Sequence, residues 1–193
     1  MKYKLTVLLL VIVSSFLRAQ TNTSEHLMFK GVPIDGTLNQ YVLKMKQSGF
    51  AAVSSENGLA LLKGDFAGFK DCYIGVSTLK EKDLVHKIAV LFPSSETWSS
   101  LSGNYFTLKE LLTEKYGKPT DVIEKFDNYT PNDDGGKMSS VKLDMCKYYT
   151  TWKIDKGDIQ LSIVQKDYKC SVSLLYIDKL NSDIIRSKAK DDL

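Results

Sequence analysis

Apolar positions along the chain alternate between two periods, and each switch marks an element. Leu38, Tyr41, Val42 and Met45 fall at i, i+3, i+4 and i+7, which is one stripe of a helix. Thr37 can cap that helix, Gln40 can complete a capping box, and Gly49 ends it. The period then drops to two. FAAVSS leads into Asn57-Gly58, a strong hairpin signal, and LALLKG follows. In FKDCYIGVST, Cys72, Ile74 and Val76 face one way, and Asp71, Tyr73, Gly75 and Ser77 the other. In LVHKIAVLF, Ile88, Val90 and Phe92 share a face. One helix and four strands result, and links this short predict antiparallel pairing.

The helical period returns after Pro93. Trp98, Leu101, Tyr105, Leu108 and Leu112 continue a stripe, and Gly103 is expected to split it into two helices. In the second, TLKELLTEKYGKP, Thr107 caps, Glu110 completes the box, Gly117 stops the helix and Pro119 prevents its resumption. TDVIEKF reads as a strand, DNYTPNDDGG as a loop, and KMSSVKLDMCK as a short helix with Met138, Val141 and Met145 on one side. Three strands follow. YYTTWKI places Tyr148, Thr150, Trp152 and Ile154 on one face; IQLSIVQ turns Ile159, Leu161 and Ile163 inward; CSVSLLYI does the same with Cys170, Val172, Leu174 and Tyr176. A charged helix or tail occupies 179–193. The expected class is α+β, with helices packed on one face of antiparallel sheet. The expected organisation is two similar α-β4 halves, 28–92 and 93–178, the second interrupted by an excursion over 127–146. Thr37–Phe50 and Thr107–Pro119 share a Thr-Leu start, a box, a stripe and a Gly stop, which suggests one repeated unit.

The N-terminus changes the charge balance. MKYKLTVLLLVIVSSFLRAQ has a basic start, Lys2 and Lys4, and a 13-residue run from Leu5 to Leu17 that is apolar except for Thr6, Ser14 and Ser15. A bilayer span takes roughly 20 residues, so this is read as the apolar region of a secretory signal peptide, 1–19, cut after Ala19. A lipid anchor would need a Cys just after the run, and the first is Cys72. Lys2, Lys4 and Arg18 leave with the leader, and the 26 basic and 23 acidic residues become 23 of each. Lys and acidic residues alternate finely thereafter, so no basic footprint of nucleic-acid binding is expected. Membrane contact is expected only through the leader during export.

Candidate chemistry is sparse. The three cysteines, Cys72, Cys146 and Cys170, allow one bridge. They are read as free thiols, with Cys146–Cys170 the pair placed to meet if a bridge forms. His26 and His86 are the only histidines, there is no HExxH and no Cys/His cluster, and no metal or cofactor is expected. DNYTPNDDGG lacks the alternate ligands and terminal Glu of a calcium loop. YGKPT has Pro119 where a phosphate loop needs Ser or Thr. No GxSxG, SxxK or Cys–His arrangement stands out, and the pairs Asp133–Asp134 and Asp191–Asp192 lie where nothing excludes water. No catalytic residue is assigned.

Surface remains. Opposite the core positions stand Tyr73, Gly75, Ser77, Lys87, Tyr149, Thr151, Gln160, Ser162, Ser171 and Ser173. Tyrosine among small hydroxyl residues is the composition of adaptable binding surfaces, and Tyr73, Tyr149, Thr151 and Ser171 are the candidate contacts. The tandem order of a helix and four antiparallel strands behind a leader resembles the β-lactamase-inhibitor-protein-like architecture. The Gly117-Lys118-Pro119 helix exit looks like that of the small outer-membrane assembly lipoproteins, and the chain is similar to uncharacterised secreted proteins of Gram-negative bacteria. Unlike the lipoproteins it lacks the anchor Cys. The expected function is a non-enzymatic secreted or periplasmic binding protein with a protein partner, acting through a sheet face or the 127–146 excursion. The alternative is a small-ligand carrier or hydrolase with its site between the halves.

Overall fold

The computed structural model describes residues 24–79 and 82–191; the leader read over 1–19 lies outside the described residues. A small hairpin, β1 (Met28–Phe29) and β2 (Val32–Pro33), precedes helix α1 (Leu38–Gln47). Strands β3 (Ala51–Glu56), β4 (Leu59–Phe66), β5 (Phe69–Leu79) and β6 (Lys82–Leu91) follow. The second half contains α2 (Trp98–Tyr116), β7 (Asp121–Phe126), α3 (Asp134–Lys142), β8 (Cys146–Ile154), β9 (Gly157–Lys166) and β10 (Lys169–Asp178), and the chain closes with α4 (Lys179–Asp191).

The eight long strands form one antiparallel sheet in the order β3-β4-β5-β6-β10-β9-β8-β7. Each half therefore contributes a helix and four sequential strands, and the halves join through their last strands. Val90 of β6 stands opposite Leu174 of β10, and Ile88 opposite Tyr176. Residues directly opposite one another point to the same side of a sheet. Leu62, Ile74, Val90, Leu174, Leu161 and Thr150 thus form one continuous row on the core side, and all six are buried. Over this row α1 buries Leu38, Tyr41 and Met45, and α2 buries Trp98, Leu101, Tyr105, Leu108 and Leu112. Phe29 from the first hairpin packs against Phe66 of the first half and Tyr176 of the second, at ring separations of 5.1 and 5.4 Å.

Local chemistry explains most element limits. Asn57 and Gly58 both adopt positive φ, 50° and 75°, as a two-residue hairpin turn of this hand requires. Thr37 and Gln40 form the capping box read for α1. Gly117 ends α2 with φ of 83°.

Two expectations fail here. The break at Gly103 does not occur, because α2 is one 19-residue helix capped by Thr97, whose Oγ1 accepts from Ser100 N at 3.2 Å. Glycine inside a helix costs about 1 kcal/mol relative to alanine. Burial of the stripe on both sides of Gly103 outweighs that, since each large apolar side chain contributes about 1.5–3 kcal/mol. Thr107 is an exposed mid-helix residue with no helix start to cap. The positions that correspond to each other are Thr37 and Thr97, each followed by buried residues one, four and eight places on: Leu38, Tyr41 and Met45, against Trp98, Leu101 and Tyr105. The excursion helix is also displaced. Asp133 accepts from Gly136 N at 2.8 Å and starts α3 through the two glycines; Cys146 and Lys147 belong to β8 instead.

An open sheet face with a basic corner

The core row alternates with a second set of side chains on the opposite side of the sheet. One row of it runs Lys63, Tyr73, Leu91, Ser173, Ser162, Tyr149 and Ile123; the next runs Leu61, Gly75, Ala89, Leu175, Gln160, Thr151 and Asp121. None of the buried stripes of α1 and α2 faces this side. The middle of both rows is uncharged, and charge enters around them through Lys63, Asp121, Lys87 between Ser77 and Ile177, and the Lys153–Asp158 pair beyond Thr151. An uncharged centre with tyrosine and aliphatic side chains inside a polar rim is the anatomy of a protein interface. Seven inter-strand spacings of ~4.8 Å make the face about 34 Å wide. That is wide enough to offer much of the ~800 Å² per partner that a specific interface buries.

Tyr73, Tyr149 and Thr151 all stand on this face, as their alternation predicts. Tyr73 is 41% exposed, and Tyr149 and Thr151 are half-buried. Four strand spacings, ~19 Å, separate the two tyrosines. Lys63 Nζ lies 5.8 Å from the Tyr73 ring centre and 2.8 Å from Asp71 Oδ1, which holds that end of the row in place. Ser171 shares the face by parity but is only 6% exposed, so it supports the surface and offers little area to a partner.

One feature of this face is invisible in the linear order of charges. Lys125 stands directly opposite Lys147 across β7 and β8, and Lys166 directly opposite Lys169 across β9 and β10. All four are exposed and share the parity of Tyr149 and Ile123. The β8–β9 ladder ends at Tyr149 and Ser162, and Lys147 and Lys166 lie beyond that end of it, both on the open side of the sheet. The even alternation of charge along the chain therefore does not exclude a basic patch. Cross-strand pairing gathers one from four separate segments.

The other candidates resolve into structural roles. Asp133 caps α3, and the Asp134 carboxylate accepts from the Ser99 hydroxyl, Ser99 N (2.7 Å) and Trp98 N (3.0 Å), which holds its pKa below the usual carboxylate range. The acids of the excursion thus tie α3 to the start of α2. Tyr129, in the same excursion, is among the most exposed large side chains. Under α2, the Tyr105 hydroxyl shares a 2.7 Å hydrogen bond with Thr150 and donates to Glu124 Oε1 at 3.1 Å, which also accepts from Lys109 at 2.6 Å. This chain satisfies Thr150, the one hydroxyl in the core row.

The three cysteines are free thiols. Cys146 and Cys170 lie on β8 and β10 with β9 between them, two strand spacings or ~10 Å apart at the backbone, beyond the ~7 Å that a disulfide spans. Burial pushes the Cys146 thiol up to about 11, away from nucleophilic use. His86 is held neutral-leaning by burial and by Lys87, against the opposing pull of Asp178, and its Nδ1 has no partner. His26 Nδ1 lies 3.0 Å from Asp178 Oδ2, part of a pin between the N-terminal segment and the end of β10. Among the described residues no group of three or more potential ligands is placed to hold a metal ion.

The seam between the halves is a strand pairing, β6 with β10, and the core side above it is filled by Phe29, Phe66, Phe92 and Tyr176. A polar cleft of about 440 Å³ lies elsewhere, at the tips of the first half, lined by Leu38, Asn39, Glu56, Asn57, Thr78 and Asp83. Comparison of the chain with protein-family models, with curated proteins and with solved structures finds no match.

Proposed function

We propose that the chain is a non-enzymatic binding protein of the secreted or periplasmic space that docks a protein partner on the open sheet face. The observation that carries this reading is the uncharged strip of Tyr73, Leu91, Ala89, Leu175, Ser162 and Tyr149 across five strands, bordered by charge and left uncovered by α1 and α2. The resemblance of the tandem helix-plus-four-strand order to the inhibitor-like and assembly-lipoprotein architectures supports a binding role of the same general kind. The alternative, a carrier or hydrolase acting between the halves, has less support because that seam is hydrogen-bonded and filled with aromatic rings.

The test compares capture of a partner by the wild type and by Tyr73→Ala/Tyr149→Ala, with capture located by photo-crosslinkers at Ser162 on the open face and at Leu43 on the outer side of α1. Central interface tyrosines typically contribute 2 kcal/mol or more each, so the double variant should lose at least 100-fold in affinity while melting as the wild type does. Equal capture by the variant, or adducts from Leu43 and not from Ser162, would show that the sheet face is not the docking surface.

A further inference from the structure

Two like-charged pairs face each other directly across neighbouring strands, Lys125–Lys147 and Lys166–Lys169. Such pairs destabilise a sheet, and the same sheet shows the stabilising arrangement elsewhere: Lys153 stands opposite Asp158, and Lys63 pairs with Asp71. None of the four corner lysines takes part in an ion pair among the described residues. Asp127 and Asp167 follow the ends of β7 and β9 but are not in ion-pair contact with them. The corner thus concentrates positive charge against the interest of the fold, beside the exposed end of the uncharged strip.

We infer that this corner recognises an acidic segment of the docked protein, with Lys125, Lys147, Lys166 and Lys169 meeting its carboxylates and with Tyr149, Ile123 and Val164 taking its apolar side chains. The inference rests on the docking reading above and names the chemistry of the partner. Within each pair the lysines are separated by about 5 Å across the two strands. Alternate residues of an extended chain repeat every ~6.8 Å on one side. A strand-like segment with Glu or Asp at two or more alternate positions can therefore bring its carboxylates together over the corner, and apolar residues further along the same side of the segment then reach Tyr149 and Ile123. A nucleic acid or an anionic bilayer fits less well. Either would have to lie flat against the whole face, where Asp121 and Asp158 border the strip, and the full chain has a formal charge of only +3.

The probe is a fluorescein-labelled synthetic peptide, Glu-Tyr-Glu-Leu-Glu-Tyr-Glu, titrated into the full chain at low salt and at 0.5 M salt. Binding should weaken steeply with salt, and amide shifts in NMR should fall on β7 to β10. Lys125→Ser/Lys147→Ser should weaken binding at least tenfold, while Lys153→Ser changes it less than twofold. Unchanged affinity in the double serine variant, no binding by the wild type, or tighter binding of a duplex oligonucleotide or phosphatidylglycerol vesicles than of the peptide would each overturn the assignment. The partner-capture assay separates the two proposals. If Tyr73→Ala/Tyr149→Ala loses the partner and Lys125→Ser/Lys147→Ser does not, the acidic segment is wrong and the docking face stands. If neither variant alters capture, both fall.

Discussion

Replacing Asp178 by alanine should be among the most damaging single changes in this protein. The side chain is fully buried at the end of β10 and joins the N-terminal segment to the start of α4. Oδ1 accepts from Leu27 N at 2.7 Å; Oδ2 accepts from Asn181 N at 2.9 Å and lies 3.0 Å from His26 Nδ1. Asn181, positioned by that bond at the first turn of α4, sends its amide to the carbonyls of Ile34 and Val85 at 3.1 and 2.8 Å. Alanine leaves two buried backbone N–H groups without acceptors, Leu27 N and, at the cap of α4, Asn181 N, each costing about 1–3 kcal/mol. The sum is about 2–6 kcal/mol, a large share of the 5–15 kcal/mol that holds an ordinary domain together. Urea unfolding followed by circular dichroism would register this as a midpoint lowered by about 1–2 M, taking a slope of roughly 2.5 kcal/mol/M. Hydrogen exchange should speed up at Leu27 and Asn181 before any other core amide. Asparagine should rescue only in part, because its NH2 group would face another donor at either Leu27 N or Asn181 N. A loss under about 1 kcal/mol for the alanine variant, with exchange at Leu27 unchanged, would mean that water replaces the carboxylate and that the pin is not a structural centre.

Gly103→Ala should stabilise the protein by about 0.5–1 kcal/mol in the same unfolding assay, because a Cβ there meets nothing within 4 Å and the helix is continuous; destabilisation would indicate that the glycine conformation is needed. Lys125→Glu should raise stability by roughly 0.2–1 kcal/mol at low salt by turning a repulsive cross-strand pair into an attractive one, with the gain shrinking as salt is added. His86 should make the fold acid-sensitive. Burial lowers its folded-state pKa below the ordinary 6.5, so the unfolded chain binds more protons in the window just below that value. Stability is then fully present above pH 6.5 and declines as the pH falls through the window; His86→Gln should flatten that part of the urea-midpoint profile, and an unchanged slope would assign the acid sensitivity to other groups.

Period and punctuation in the sequence determined a great deal. Strict alternation in FKDCYIGVST, IQLSIVQ and CSVSLLYI placed Cys72, Ile74 and Val76 of β5, Ile159 and Leu161 of β9, and Cys170, Val172, Leu174 and Tyr176 of β10 in the core, because a strand with one wet face has only two sides to choose between. Thr37 with Gln40, Asn57-Gly58 and Gly117 marked their turns and caps through local hydrogen bonding and φ alone. The same local signals misled at Thr107, where Thr, Glu and Gly at the right spacing imitate a helix start. The burial of Trp98 and Leu101 carries α2 straight through Gly103, and that burial exists only once the sheet does. It is also the sheet that decides which half meets which: nothing in the linear order says that β6 pairs with β10, so the closed seam and the unbroken face had to come from tertiary structure. Tyr73, Tyr149 and Thr151 could be assigned to one face by alternation, whereas the burial of Ser171 depends on what surrounds it. The lysine corner is the clearest case. Lys125, Lys147, Lys166 and Lys169 sit among acids along the chain and look neutralised; the β7–β8 and β9–β10 registers, fixed by inter-strand hydrogen bonds, set them in two facing pairs at one end of the sheet.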